Sequence, residues 1–291
     1  MYEYKDIRNF YFEDEKGQQI DCQKLNGGLF LYNVSGLGYE KEIEYEQLGN
    51  TFIPNKEKLK QNQINGELEF YNMTYDEYQS FVDFINNSSQ LKLIYIPKTS
   101  NRTKYYRDID FCKIDKAEED DFNILICPIT INCKSLWYEE RTLVYNLDPS
   151  EENVLRWDFE WDSKFADYDV SNLVIKNEGH IPAPVLIEIN GRVVNPKIEL
   201  WVEGIKYQTV NMNTTIEEFE KLLYGTKEND FYIHKQKADG TIENLFKLDV
   251  IDFANDNVIR IPKKKSCELK IIADTEIQKI KVTMFVYYIA V

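Results

Sequence analysis

Between Asn172 and Val202 the chain reads NLVIKNEGHIPAPVLIEINGRVVNPKIELWV. Two apolar runs, Val185–Ile189 and Arg192–Val194, are separated by Asn190-Gly191. That dipeptide is the strongest short hairpin signal, because both residues accept the positive φ of a type I′ turn. Pro182, Pro184 and Pro196 bracket it and lack N–H donors, so they mark strand starts or edges. A further strand is expected at Ile198–Val202. A stretch of this kind commits the chain to an antiparallel β-sandwich and offers no catalytic chemistry of its own.

The rest of the sequence reads the same way. Strands are expected at Phe10–Phe12, Ile20–Cys22, Leu29–Val34, Leu91–Ile96 and Ile129–Cys133, with turns at Asp14–Gly17 and Asn26–Gly28. Ile109–Ile114 and Phe122–Ile126 are expected to pair across the acidic turn Glu118–Asp121, which lacks the spaced ligands of a calcium loop. Thr74–Asn86 is the clearest helix. Thr74 and Glu77 form a capping box, and Tyr78, Phe81, Val82 and Ile85 share one face. A second short helix is expected from Thr214 to Phe219, capped by Thr215 and Glu218 and stopped by Gly225. Strands at Asp230–His234 and Asn244–Val250 should flank the Asp239-Gly240 turn, and Ile280–Ala290 should be a long closing strand. The fold class is therefore mainly β with two short helices.

Length and charge narrow the function. A chain of 291 residues favours two domains. The formal charge is −15, of which residues 139–169 contribute −7 from ten acidic and three basic side chains. Such a chain lacks the clustered Lys and Arg that bind phosphates, and Lys263-Lys264-Lys265 reads as a solvated turn. Five cysteines without a C-x-x-C pair indicate reduced thiols made in a cytosol. The first residues have no signal-peptide h-region, and no apolar run reaches membrane-helix length.

Chemical motifs are missing. Two histidines without H-x-x-x-H spacing exclude the common zinc-hydrolase signatures, and no P-loop, nucleophile elbow or dinucleotide fingerprint is present. No cofactor, metal or catalytic residue is expected. With fifty Asp and Glu, the sequence leaves open a carboxylate pair at glycosidase spacing. Leu155, Trp157, Phe159 and Trp161 alternate with charged residues, giving a strand with one aromatic face. Trp157, Trp161 and Trp201 are the candidates for glycan stacking if the chain is a carbohydrate-binding module instead.

Ser35-Gly36-Leu37-Gly38 is the other distinctive stretch. Glycines on both sides of one leucine call for positive φ or close approach to another chain. The run F-x-D-x-x-G (Phe12–Gly17), then F-L-x-x-V-x-G-L-G (Phe30–Gly38), then a Tyr45–Phe52 segment ending in a strand resembles the first domain of phage distal tail proteins. The phrase I-x-N-x-G-x-x-P-A-P (Ile175–Pro184), the N-G turn and N-P-x-I (Asn195–Ile198) resemble the start of that family's second domain. The resemblance implies a ring-forming domain over 1–136 and a galectin-like sandwich over 137–291. It implies a structural adaptor of the virion tail, made in the host cytoplasm. Six copies would encircle the tail channel, join the tail tube protein to the baseplate or tail-tip hub, and carry receptor-binding proteins. Gly36, Leu37 and Gly38 would lie at the assembly interface. An anionic ring would let a genome pass without holding it.

Overall fold

The structure is a computed structural model that describes residues 8–23, 28–71, 74–98, 103–116, 118–146, 170–228, 230–254, 257–275, 277 and 279–291. The chain divides into two compact units, Met1–Glu139 with Tyr288–Val291, and Glu140–Tyr287.

The first unit contains β1 (Asn9–Asp14), β2 (Gln19–Asp21), β3 (Leu29–Ser35), β4 (Lys41–Leu48), β5 (Thr51–Leu59), β6 (Gln63–Tyr71), α1 (Thr74–Asn87), β7 (Leu91–Ile96), β8 (Tyr105–Ile114), β9 (Ile124–Cys133) and the start of β10 (Trp137–Asn146). Neighbouring strands pair antiparallel in the order β2-β1-β7-β8-β9-β6-β3. The circuit then closes. Gln23, just past β2, bridges Phe30 of β3, and the Leu31 N–H donates to Cys22 O at 3.0 Å. Alternation along each strand sends Phe10, Phe12, Leu31, Ile64, Leu68, Phe70, Leu93, Ile109, Leu125 and Ile131 inward, all essentially without solvent exposure. Helix α1 lays Phe81 against Phe12, Phe70 and Phe111, with ring centroids 5.7, 6.0 and 5.8 Å away. Burying a side chain of this size contributes about 1.5–3 kcal/mol. The capping role expected of the Thr74 side chain lies outside the described residues.

The pairing expected between Ile109–Ile114 and Phe122–Ile126 is not formed: β8 pairs with Ile129–Cys133, the far half of β9, while Ile124–Ile126 pair with Glu69–Tyr71 of β6. Ile114 faces Ile129, and Phe122, before β9 begins, stands 82% exposed.

The second unit contains β11 (Val170–Lys176), β12 (Ala183–Asn190), β13 (Val193–Val194), β14 (Lys197–Val202), β15 (Ile205–Asn211), β16 (Thr215–Ile216), β17 (Lys221–Lys227), β18 (Asp230–Gln236), β19 (Ile242–Asn244), β20 (Arg260–Ile261), β21 (Ser266–Ile272) and β22 (Lys279–Tyr288). One sheet runs β19-β18-β17-β12-β22, the other β11-β21-β14-β15. Their buried alternate residues, Val185, Ile187, Ile189, Leu222 and Tyr224 on one and Ile198, Leu200, Leu269 and Ile271 on the other, make the core of a two-sheet sandwich.

Four expectations fail here. Asn190-Gly191 does not join a hairpin. β12 already has β17 on one edge and β22 on the other, so β13 finds no free edge and pairs with β16 instead. The helix expected from Thr214 to Phe219 is a two-residue strand followed by a turn, in which the Glu217 N–H donates to Glu220 Oε2 at 2.9 Å. One helix is present among the described residues. Gly225 is no helix stop. It sits inside β17 directly opposite Tyr232 of β18, and a Cβ there would lie 2.6 Å from the tyrosine ring, so the aromatic covers the bare glycine. The strand expected at Asn244–Val250 is shorter and earlier, at Ile242–Asn244, with the chain turning after it. No helix among the described residues is long and apolar enough to cross a membrane.

Candidate assembly surface

β4 and β5 form a two-stranded sheet of their own, pairing with no other described strand. The two-residue turn Gly49-Asn50 sets the register, with Leu48 opposite Thr51. Gly49 supplies φ 62°, as the first central position of a type II′ turn demands. Beyond the turn the arm is solvated along almost its entire length. Tyr45 is 58% exposed, Leu48 68% and Phe52 64%, and Tyr39 and Ile53 are also exposed. The two faces differ. Alternation and register gather Ile43, Tyr45, Pro54, Phe52 and Leu59 on one face together with Lys41, Gln47 and Glu57, and the cross-strand pairs Glu42–Lys58 and Glu44–Lys56 on the other with Ile53 and Leu48. Lys41–Glu57 and Lys60–Glu40 add ion pairs at 3.1 and 2.8 Å.

The Gly36-Leu37-Gly38 loop is the root of this arm. Asn62, where the chain leaves β5, donates through Nδ2 to Gly36 O at 2.5 Å and Gly38 O at 2.9 Å. Trp137 Nε1 donates to Leu37 O at 2.9 Å. Gly36 has φ +83°, and a Cβ on it would come within 2.0 Å of Gln63 O. Gly36 thus has the expected positive φ, and the close approach it makes is to the chain's own backbone. Gly38 has open space around it. The most exposed apolar side chains, Leu48, Phe52 and Tyr45, lie further out along the arm. The sequence signal for that surface was the K-E-I-E-Y-E alternation before Gly49-Asn50.

In the second unit, Asn177 of the I-x-N-x-G motif is fully buried. Its Nδ2 donates to Ile181 O at 2.8 Å and Ile261 O at 2.9 Å, and its Oδ1 accepts from the Gly179 N–H at 2.9 Å. Gly179 lies so close to Tyr287 O that a Cβ would approach it to 2.5 Å, and the next N–H, of His180, bonds that same carbonyl at 2.8 Å. The motif is thus a backbone knot at the entrance to β12.

Trp157 and Trp161 lie outside the described residues. Trp201 is half-buried on the outer face of β14. Its Nε1 donates to Glu199 Oε2 at 2.8 Å, and Lys270 Nζ sits 4.3 Å from its ring. Glu199, 4% exposed, also pairs with Lys197 at 2.5 Å and Lys206 at 3.6 Å. Burial pushes the Glu199 carboxyl up, but the hydrogen bonds from Lys197 and the indole and the charges of both lysines outweigh it and hold it below the usual carboxylate range. Among the described residues no three His, Cys, Asp or Glu side chains converge to hold a metal ion.

Residues 9–134 match the family model described as distal tail protein, N-terminal domain. No curated protein sequence matches the chain. Among solved structures, the fold is similar to a chain of the phage P2 baseplate in its activated conformation with calcium, at 17% identity and TM-score 0.68, covering 98% of this chain and 100% of that one. The strontium form of the same baseplate gives 19% identity and TM-score 0.69 over 98% and 100%. The SPP1 Dit (gp 19.1) protein, described as a hub adsorption apparatus in phages infecting Gram-positive bacteria, gives 12% identity and TM-score 0.56 over 94% and 98%.

Proposed function

We propose that this chain, whose residues 9–134 carry the distal tail protein N-terminal domain, is the adaptor of a phage or phage-like tail. Six copies form a ring through their first halves and join the tail tube to the baseplate or tail-tip hub. The second halves, read as galectin-like, face outward toward receptor-binding components. The observation that carries the self-assembly is the β4–β5 arm. An isolated two-stranded hairpin is marginal in water, yet this one extends over eight- and nine-residue strands with Tyr45 and Phe52 of one face in solvent. A second copy that covers its apolar face supplies the missing burial. The role is mechanical and uses no bound cofactor. Proximity of the strongly acidic 139–169 segments is opposed by charge repulsion, which favours a ring whose second halves stay apart. Negative-stain microscopy of the purified full chain tests the reading: ring-shaped particles support it, and isolated monomers at every concentration, with or without a tail tube protein, contradict it.

A further inference from the structure

The two strands of the arm carry opposite charge. Residues 40–46 include Glu40, Glu42, Glu44 and Glu46 against Lys41, a net −3. Residues 56–60 include Lys56, Lys58 and Lys60 against Glu57, a net +2. Within one chain this segregation pairs Glu42 with Lys58 and Glu44 with Lys56 across the hairpin. The outer edges of both strands pair with no other described strand. Each edge presents free backbone donors and acceptors, the arrangement through which one chain adds a strand to another.

We infer that the arms of successive copies add edge to edge, the acidic strand β4 of one copy against the basic strand β5 of the next. Charge selects this pairing from the alternatives. β4 beside β4 would set glutamate against glutamate on one face, and β5 beside β5 lysine against lysine, and directly opposed like charges destabilise a sheet. β4 beside β5 gives each inner Glu a lysine on both sides. The geometry agrees with a ring. Copies related by rotation present their arms in one direction, so β4 of one and β5 of the next run antiparallel, and the alternation repeats around the axis without a reversal. Such a contact uses two different surfaces of each subunit, as ring closure requires, whereas a two-fold contact would use one surface twice. The register irregularity at Glu44/Tyr45, together with Pro54, which has no N–H to donate, confines the ladder to the root half of the arm, Lys41–Glu44 and Lys56–Leu59.

The inference rests on the ring reading above, and charge-swapped full chains separate the two. The variant Glu42→Lys, Glu44→Lys, Lys56→Glu, Lys58→Glu keeps opposite charges within its own arm and between its own copies. The expected result is that it assembles alone as the unaltered chain does. When the two are dissociated, mixed and reassembled at low salt, mixed rings in native mass spectrometry should fall about ten-fold below the statistical distribution. That depletion should shrink at high salt. Statistical mixing at low salt, or a folded swapped chain that does not self-assemble, overturns the edge pairing while the ring stands. An unaltered chain that stays monomeric overturns both. A second measurement does not depend on the swap. In a Cys112→Ser background, chains carrying Glu42→Cys should cross-link to chains carrying Lys58→Cys and not to one another. The reverse pattern, or no cross-linking between them, overturns the inference.

Discussion

Trp137 donates its indole N–H to the carbonyl of Leu37 across 2.9 Å, between residues one hundred positions apart. Trp137 is fully buried and opens β10, while Leu37 sits in the loop from which the arm departs. The bond therefore ties the end of the first unit's circuit to the root of its exposed surface. Trp137→Phe keeps most of the packing and removes the bond. It should lower stability by about 1 kcal/mol in denaturant titration and weaken self-association more than it weakens folding. Equal assembly by the variant would show that the root loop does not orient the arm.

The two glycines of that loop should behave differently. Gly36→Ala places a methyl group against Gln63 O at a positive φ, and should cost about 1–3 kcal/mol or displace β6. Gly38→Ala meets open space and should stay within about 0.5 kcal/mol of the unaltered chain. Thermal melts of the pair check the contrast, and a stable Gly36→Ala would contradict the described backbone.

Asn177→Ala removes three hydrogen bonds from a fully buried position and leaves the Ile181 and Ile261 carbonyls without their amide donor. A loss of about 3 kcal/mol is expected. Hydrogen exchange should show the loosening first around β12 and β20, with the first unit's amides unchanged.

Glu199 gives the second unit an acid sensitivity. Its folded pKa lies below the unfolded value, so its stabilising contribution is present above pH ~4.3 and is lost as pH falls through the lower folded value. Glu199→Gln should lower stability at neutral pH and flatten the decline below pH ~4. Parallel stability curves for the two proteins from pH 7 to 3 would rule the carboxylate out as a source of that decline.

Much of this was legible from local pattern. The period of Tyr78, Phe81 and Ile85 located α1, apolar runs bounded by turn and proline signals located β1, β3 and β7, and alternation located β22. What failed depended on partners far along the chain. Asn190-Gly191 carries a hairpin signal, but β12 is flanked by β17 and β22, and no local rule knows that both its edges are taken. Thr215–Glu218 has the letters of a capping box without the following apolar face that would hold a helix in place. Gly36-Leu37-Gly38 stood out, yet its role emerged only with Asn62 and Trp137 beside it. Of the arm, only the Tyr45–Phe52 segment ending in a strand was legible, because apolar residues as exposed as Tyr45, Leu48 and Phe52 follow no core-facing pattern.

The central claim is that six copies close into a ring. Native mass spectrometry of the purified full chain across a concentration series measures this directly. The account predicts a dominant species of six times the 34.5 kDa chain mass, destabilised by Tyr45→Ser with Phe52→Ser on the arm. A species that remains at the mass of one chain at every concentration, or a closed dimer unaffected by those substitutions, would contradict it.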